Sequence, residues 1–140
     1  MPLHRRHLLG VLGGLPFAAM PGVLRAAGRR ITDSAGRPVS VPDRVTKVFP
    51  AGPPASIFLY MMAPDLLAGW SRALRGKERA GVAETYHGLP EIGRLTGRGG
   101  SANLETVMVM KPDLILDYGS VKPTYISLAD RVQAQTGIPY

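Results

Sequence analysis

A glycine-rich segment from Gly93 to Asp117, GRLTGRGGSANLETVMVMKPDLILD, has the residue types of an anion-binding loop. It contains four glycines and two arginines, followed by a predicted short helix and then by a run of apolar residues. Glycines let the backbone turn sharply or approach a partner, and the free N–H groups of a helix start favour an anion. The segment lacks G-x-G-x-x-G and G-x-x-x-x-G-K-[ST], so a nucleotide site is disfavoured. An enzyme loop and a receptor loop both remain open at this point.

Other residues that could perform catalysis are sparse. His87 stands alone in a predicted loop, where an exposed surface histidine is the simplest interpretation. Asp113 and Asp117 flank one predicted strand, and residues four positions apart cannot both lie at the same end of a strand. No pair of groups is spaced for general acid–base work. We therefore predict a protein that is not an enzyme and that has no cofactor or metal site, with an exported α/β enzyme fragment as an alternative.

Residues 1–28 have the layout of an export signal. Arg5 and Arg6 precede an apolar stretch from Leu8 to Ala19, which is too short to span a bilayer and is followed by small residues. The arginine pair before two apolar residues fits a twin-arginine signal, and an ordinary secretory signal is the alternative. We place cleavage near 26–28, which leaves 29–140 as the folded part.

The high net charge of the chain, +7, comes largely from this signal. Residues 31–140 contain twelve basic and ten acidic residues, a net charge of only +2. A nucleic-acid partner is therefore not predicted. The chain contains no cysteine, which excludes disulfides, a thiolate metal site and a lipid anchor on cysteine. These observations predict a soluble periplasmic protein.

The pattern after the signal predicts an α/β fold. A hairpin is expected from Ile31-Thr32 and 38–41, joined by a turn over 33–36. A βαβ unit is expected next, because two short apolar segments flank an apolar helix that begins after a Gly-Pro loop. Its elements are a strand over 45–49, a helix over 55–62 and a strand over 66–70.

The second half predicts further helices and strands around a parallel sheet. Residues 71–88 are polar and predict irregular surface structure, and Asn103 is positioned to cap a helix whose Leu104, Val107 and Met108 share one face. An apolar strand over 114–116 suits a parallel sheet covered on both faces. The remaining elements are a helix over 123–136 capped by Gly137 and the start of a strand over 138–140, so we expect a truncated chain.

Five segments carry a resemblance to a known family. In chain order they are ITDSAGRPVSVPDRV, AGPP, DLLAGW, LPEIGRLTGRGGSANLETVMVMKPDLIL and LADRVQAQTGIPY. Together they resemble the amino-terminal lobe of periplasmic substrate-binding proteins of ABC importers for iron(III)-siderophores, haem and cobalamin. The resemblance covers about residues 30 to 140 and is most specific at N-L-E followed by KPDLI.

The resemblance implies a Rossmann-like parallel-sheet lobe of a two-lobed protein with a single linking helix, its second lobe absent from this chain. It implies capture of an iron(III)-siderophore, or of a related metal chelate such as haem or cobalamin, in the cleft between the lobes. Delivery to an inner-membrane permease follows, and Glu105 matches the family's glutamate that docks on permease arginines. A carboxylate that only helps the helix to start is the alternative role for Glu105.

Ligand-binding candidates are the residues at the carboxyl ends of the predicted strands, where α/β sheets place their ligands. Trp70 and Tyr118 could stack on a ligand, with core packing as the alternative for Trp70. Arg72 or Arg98 could pair with negative charge, with a solvated surface position as the alternative. The full candidate set is Gly52, Pro53, Trp70, Ser71, Arg72, Arg98, Tyr118, Gly119 and Ser120.

Besides the receptor lobe and the enzyme fragment, a nonfunctional truncated receptor remnant is a third interpretation of the chain.

Overall fold

The computed structural model describes residues 28–97 and 102–140, so the predicted export signal lies outside the described residues up to position 27. The strands are β1 (Arg29–Thr32), β2 (Pro38–Val41), β3 (Val48–Pro50) and β4 (Leu114–Leu116). The helices are α1 (Pro53–Met62), α2 (Gly76–Ala80), α3 (Leu104–Met110) and α4 (Pro123–Thr136). No helix in the described ranges is long and apolar enough to cross a membrane.

The predicted hairpin is confirmed. β1 and β2 pair antiparallel with Ile31 opposite Val39. One carboxylate oxygen of Asp33, Oδ1, accepts bonds from the N–H groups of Ala35 and Arg37 at 2.9 and 2.8 Å, and Gly36 turns the chain at a φ of 79°. The turn forms because an aspartate satisfies the turn's N–H groups while glycine tolerates positive φ.

The predicted α/β fold is also confirmed, although its sheet is small. β3 and β4 pair in parallel, with Phe49 opposite Ile115. Single backbone bonds add a segment on each side, from Ala68 N–H to the Val48 carbonyl at 3.0 Å and from Ile115 N–H to the Pro139 carbonyl at 2.8 Å. The β3–β4 pair and the bridge between Val48 and Leu67 are both parallel, the direction expected from βα crossovers.

Several predicted elements have different bounds. The strand predicted over 66–70 is wrong as a continuous strand, because a 3₁₀ turn over Pro64–Leu66 leaves single bridges at Leu67 and Trp70. The strand predicted over 45–49 is shifted and ends at Pro50. The polar segment over 71–88 is more regular than predicted, since it holds α2 and a 3₁₀ turn over Glu84–Tyr86.

The core lies on both faces of the parallel sheet, as predicted for an apolar strand. Phe49 and Ile115 point to one face and pack with α3 and α4, while Val48 points to the other and packs with Leu59 of α1. This alternation follows from the two-residue period of a strand. Helices therefore cover both faces of the sheet. The end of the sheet at which β3 and β4 finish is left for other contacts.

The predicted apolar face of α3 is partly wrong. Val107 is fully buried, but Met108 is 56% exposed. The buried face is centred on Val107 and reaches Leu104 and Met110, which lie about 60° to either side at 100° per residue. Met108 lies about 100° from Val107 and so points to solvent. As predicted, Asn103 caps the helix, with its Oδ1 accepting from the Thr106 N–H at 2.8 Å.

The Asp113 side chain fixes the backbone just before β3. Its Oδ2 accepts bonds from the Thr46 N–H, the Thr46 hydroxyl and the Lys47 N–H at 2.7, 2.9 and 3.0 Å. The Thr46 N–H bond above all holds the pKa of Asp113 below its ordinary value. We expect Asp113→Ala to lower the free energy of unfolding by about 1–2 kcal/mol at pH 7, measured by urea denaturation.

The contribution of Asp113 to stability should depend on pH. Because the folded-state pKa lies below an unfolded value of about 3.9, its stabilisation is fully present above about pH 4. It is lost as the pH falls through the lowered pKa, so wild type and Asp113→Ala should converge in stability there. Asp43→Ala, which removes an exposed aspartate near the same strand, is the control. A stability difference that stays constant down to pH 2 would contradict this role.

Candidate functional site

The candidate site lies at the carboxyl edge of the parallel sheet. The Ala51 carbonyl, just after β3, accepts bonds from the N–H groups of Leu95 and Thr96 at 2.7 and 2.9 Å. The Ala51 N–H donates to the Leu116 carbonyl at 2.8 Å, at the end of β4. Three segments that are distant in sequence, two loops and the end of β4, therefore meet at one backbone position. This is the edge at which open α/β sheets place their ligands.

The loop after β3 is built for close packing. A Cβ placed on Gly52 would lie 2.7 Å from the Thr96 hydroxyl oxygen, so any larger residue would force the Thr96 side chain to move. Pro53 occupies the first turn of α1, where its missing N–H is harmless. The Gly52 carbonyl accepts bonds from the N–H and hydroxyl of Ser56 at 3.0 and 3.2 Å. Gly52 is thus buried as a spacer, and Pro53 reaches the surface.

The loop after β4 exposes the candidate side chains. Asp117 Oδ1 accepts from the Tyr118 N–H at 2.9 Å and, more weakly, from the Thr96 hydroxyl at 3.4 Å. Gly119 follows at a φ of 146°, a conformation that favours glycine. The Ser120 hydroxyl accepts from the Lys122 N–H at 3.3 Å, ahead of α4. The loop is therefore fixed by its own bonds, while Tyr118 remains 53% exposed.

A shallow cavity of about 150 Å³ joins these two loops. It brings together four residues of the predicted set, Pro53, Tyr118, Gly119 and Ser120. The other lining residues are Pro54, Thr96, Gly97, Asp117 and Tyr125. Residues that follow β3 and residues that follow β4 thus line one small depression.

A larger cavity of about 540 Å³ lies between the hairpin, β4 and α4. It reaches the same β4 loop at Tyr118, Gly119 and Ser120, and its apolar walls include Val39. The buried Tyr140 hydroxyl lies at this cavity and has no hydrogen-bond partner among the described residues. Burial, reinforced by the charge of Asp117, raises the pKa of Tyr140, so its hydroxyl stays protonated. The cavity is a second recess beside the same loop.

Trp70 and Ser71 do not join this surface. Trp70 is 3% exposed, packs against Tyr60 with ring centroids 5.6 Å apart, and donates its Nε1–H to the Tyr86 carbonyl at 2.9 Å. Ser71 is equally buried, and its N–H donates to the Ser56 hydroxyl at 3.3 Å. Neither side chain is open to solvent, so the geometry favours the core-packing alternative for Trp70 and places Ser71 beneath the surface.

Arg72 is exposed but engaged by another side chain. Its Nη1 donates to Glu78 Oε2 at 2.7 Å, and its Nη2 donates to Glu78 Oε1. This two-bond pair lowers the pKa of Glu78 to about 2. Arg72 does not line either cavity. Arg98 lies outside the described residues, so its position relative to the site stays a prediction.

Glu105 lies apart from the cavities, on the first turn of α3. It is exposed and makes no hydrogen bond or ion pair within the described ranges. The Asn103 side chain caps the helix by binding both the N–H and the hydroxyl of Thr106. The cap is thus complete without Glu105, whose carboxylate faces solvent.

Sequence reasoning missed Phe58. Its ring stacks on that of Tyr118 with centroids 4.6 Å apart and planes 6° apart. The signal available in the sequence was weak, because Phe58 lies in an apolar helix in which any residue could face the core. The rotation of the helix about its axis determines where Phe58 points. Ala55, Ser56 and Leu59 form the buried face, and Phe58 lies at its margin.

The described residues offer little for catalysis. His87 Nε2 lies 2.8 Å from the carbonyl oxygens of both Arg79 and Val82, so it is bonded within its own loop. Residues 28–97 and 102–140 hold no group of three His, Cys, Asp or Glu side chains placed to bind a metal ion. The chemistry that the site supports is binding through aromatic, hydroxyl and backbone groups.

Comparisons with known proteins place the fold. No family model and no curated protein matches the chain. Among solved structures, an ABC transporter solute binding protein from Sulfurospirillum deleyianum DSM 6946 aligns with a TM-score of 0.65 at 23% identity over 79% of this chain. The haem-binding protein HmuT aligns with a TM-score of 0.47 at 20% identity over 94% of this chain.

The chain spans only about a third of these proteins, 35% of the first and 38% of HmuT. The alignment to the Sulfurospirillum protein therefore shows that the chain has the fold of part of a solute-binding protein, in agreement with the one-lobe fold expected from the sequence.

Proposed function

We propose that the chain is the amino-terminal lobe of the substrate-binding component of an ABC importer, which captures an iron(III)-siderophore or a related metal chelate and delivers it to a membrane permease. The observation that carries the proposal is the meeting of three segments at the carboxyl ends of the parallel strands, on a fold shared with a solute-binding protein. The segments quoted above supply the choice of ligand class. Haem and cobalamin are the other ligands within that class.

The ligand would lie on the surface formed by Pro53 and the β4 loop. Tyr118 supplies an exposed ring, while Gly119 and Ser120 supply backbone and hydroxyl groups for hydrogen bonds. Gly52 acts beneath this surface as a spacer, for the packing reason given above. Arg98, in the glycine-rich segment, is proposed to pair with negative charge on the chelate.

Glu105 is proposed as the docking residue for the permease. An exposed carboxylate that makes no hydrogen bond or ion pair with the described residues can form charge-assisted hydrogen bonds with an arginine of another protein. Its separation from both cavities supports independent roles in docking and in ligand capture. Residues 1–28 are proposed as a signal peptide, and the protein as periplasmic.

An uptake experiment tests the proposal in the cell that encodes the protein. Deletion of the coding sequence should abolish high-affinity uptake of one member of a panel comprising haemin, cobalamin and ⁵⁵Fe-loaded siderophores, and a plasmid copy should restore it. The expected loss is selective, because a binding component serves its own importer. Unchanged uptake of every chelate in the deletion strain would refute the proposal.

A further inference from the structure

The Phe58–Tyr118 pair has the geometry of a binding platform. The rings are nearly parallel, with planes 6° apart and centroids 4.6 Å apart. Phe58 is half-buried on α1, whereas Tyr118 is 53% exposed. One face of the Tyr118 ring is therefore covered by Phe58, and the other remains open to solvent. An open aromatic face at a candidate binding edge favours a third ring from a ligand.

Contacts within the protein support the platform. The Tyr118 N–H is held by Asp117 Oδ1, and its ring is held against Phe58. Phe58 belongs to a helix that begins with Pro53 and Pro54, whose rings fix the backbone where α1 starts. A side chain that is already immobilised loses little conformational entropy on binding, so its contact contributes more to affinity.

The cavity beside the platform has the size of a single aromatic ring. Its volume of about 150 Å³ is enough for one ring, and Tyr118 forms part of its wall. Pro53 and Pro54 give it an apolar side. A flat ring can therefore contact both the platform and the depression.

The charge around this cavity argues against an anionic group. Asp117 lines the cavity, and no lysine or arginine of the described chain does. A carboxylate or phenolate placed there would meet a like charge. An uncharged ring is favoured instead, with any metal and its charged ligands lying outside the depression.

We propose that Phe58 and Tyr118 form an aromatic platform that binds an uncharged planar ring of the chelate and so selects aryl-bearing chelates over aliphatic ones. This inference rests on the proposed function and adds the ligand class. Tyr118 contacts the ligand, and Phe58 acts as a positioning residue behind it.

Two neutral gallium(III) complexes test the inference. Ga(III) tris-benzohydroxamate and Ga(III) tris-acetohydroxamate share the metal, the donor atoms and the net charge, and they differ in a phenyl ring against a methyl group. Binding to the full chain is followed by NMR chemical-shift changes of the Gly119 and Ser120 amides, which line the same cavity in every variant. We expect the benzohydroxamate complex to bind about threefold to tenfold more tightly.

Substitutions separate the ring contact from general structure. Tyr118→Leu should bring the affinity ratio close to one, and Tyr118→Phe should keep it. Phe58→Leu should reduce the ratio, and Phe58→Tyr should restore it, because a ring is again present behind Tyr118. Ile57→Leu changes a half-exposed neighbour on the same helix and should leave the ratio unchanged.

The outcomes are distinguishable. Equal affinity for the two complexes in the wild type overturns the aromatic platform and leaves chelate binding in place. Binding of neither complex overturns the platform, whereas the proposed function is tested by the uptake experiment. A ratio that survives Tyr118→Leu overturns the assignment to this ring.

Discussion

Replacing Phe49 with alanine is expected to lower the free energy of unfolding by about 3–5 kcal/mol. Phe49 is fully buried at the centre of β3, where it packs with Val107 of α3, Ile115 of β4 and Val132 of α4. Removing its ring leaves a cavity that a three-residue strand, tied to β4 by ladder bonds, cannot collapse to fill. Since domains of this size are stable by only roughly 5–15 kcal/mol, the loss is a large fraction of the total.

The measurement is urea unfolding followed by tryptophan fluorescence. Trp70 is the single tryptophan of the chain and is 3% exposed, so its emission should shift when the core opens. Met61→Ala is the control, because Met61 is 74% exposed on α1 and should change stability by less than about 0.5 kcal/mol. Equal destabilisation by the two substitutions would show that the β3–β4 pair is not the centre of the core.

The core could be predicted from sequence because its signals are local and redundant. The apolar run over 114–116, with no alternation, predicted a strand covered on both faces, and β4 does contribute to both core clusters. Gly137 predicted the end of α4, and it adopts the left-handed conformation at a φ of 69°. Each of these features is fixed by neighbouring residues.

The sequence does not predict whether a residue faces the core or the solvent where only tertiary packing determines this. Met108 belongs to an apolar stretch, and only the contact of Val107 with the sheet sets the phase that turns Met108 outward. Trp70 follows a short apolar segment that suits both a ligand contact and the core. Its hydrogen bond to the Tyr86 carbonyl, sixteen residues away, is a tertiary contact that no local pattern indicates.

The candidate site shows the same division. Tyr118, Gly119 and Ser120 were predicted because the end of a parallel strand is a position defined by the sequence pattern. Phe58 was missed because its role depends on contact between two elements that are sixty residues apart in the chain. Positions at strand ends are therefore predictable one loop at a time, whereas pairs between loops require the fold.

Replacing Glu105 with alanine is expected to reduce chelate uptake by about tenfold or more while leaving chelate affinity within twofold of the wild type. A hydrogen bond to a charged partner contributes about 1.5–3 kcal/mol, which corresponds to roughly 10–100-fold in binding. The exposed Glu105 carboxylate contacts neither cavity, so ligand capture should not depend on it. Uptake is measured in the complemented deletion strain, and affinity is measured on the purified protein.

The alternative role for Glu105, help in starting α3, makes a different prediction. A carboxylate in the first turn stabilises a helix by about 0.3–1 kcal/mol, so losing it would lower stability slightly and leave uptake intact. Glu105→Gln removes the charge with little change of shape, and Glu84→Ala removes an exposed carboxylate from a different turn. Docking requires that Glu105→Gln impair uptake as Glu105→Ala does and that Glu84→Ala not do so. Reduced chelate affinity with normal permease association would instead assign Glu105 to the ligand.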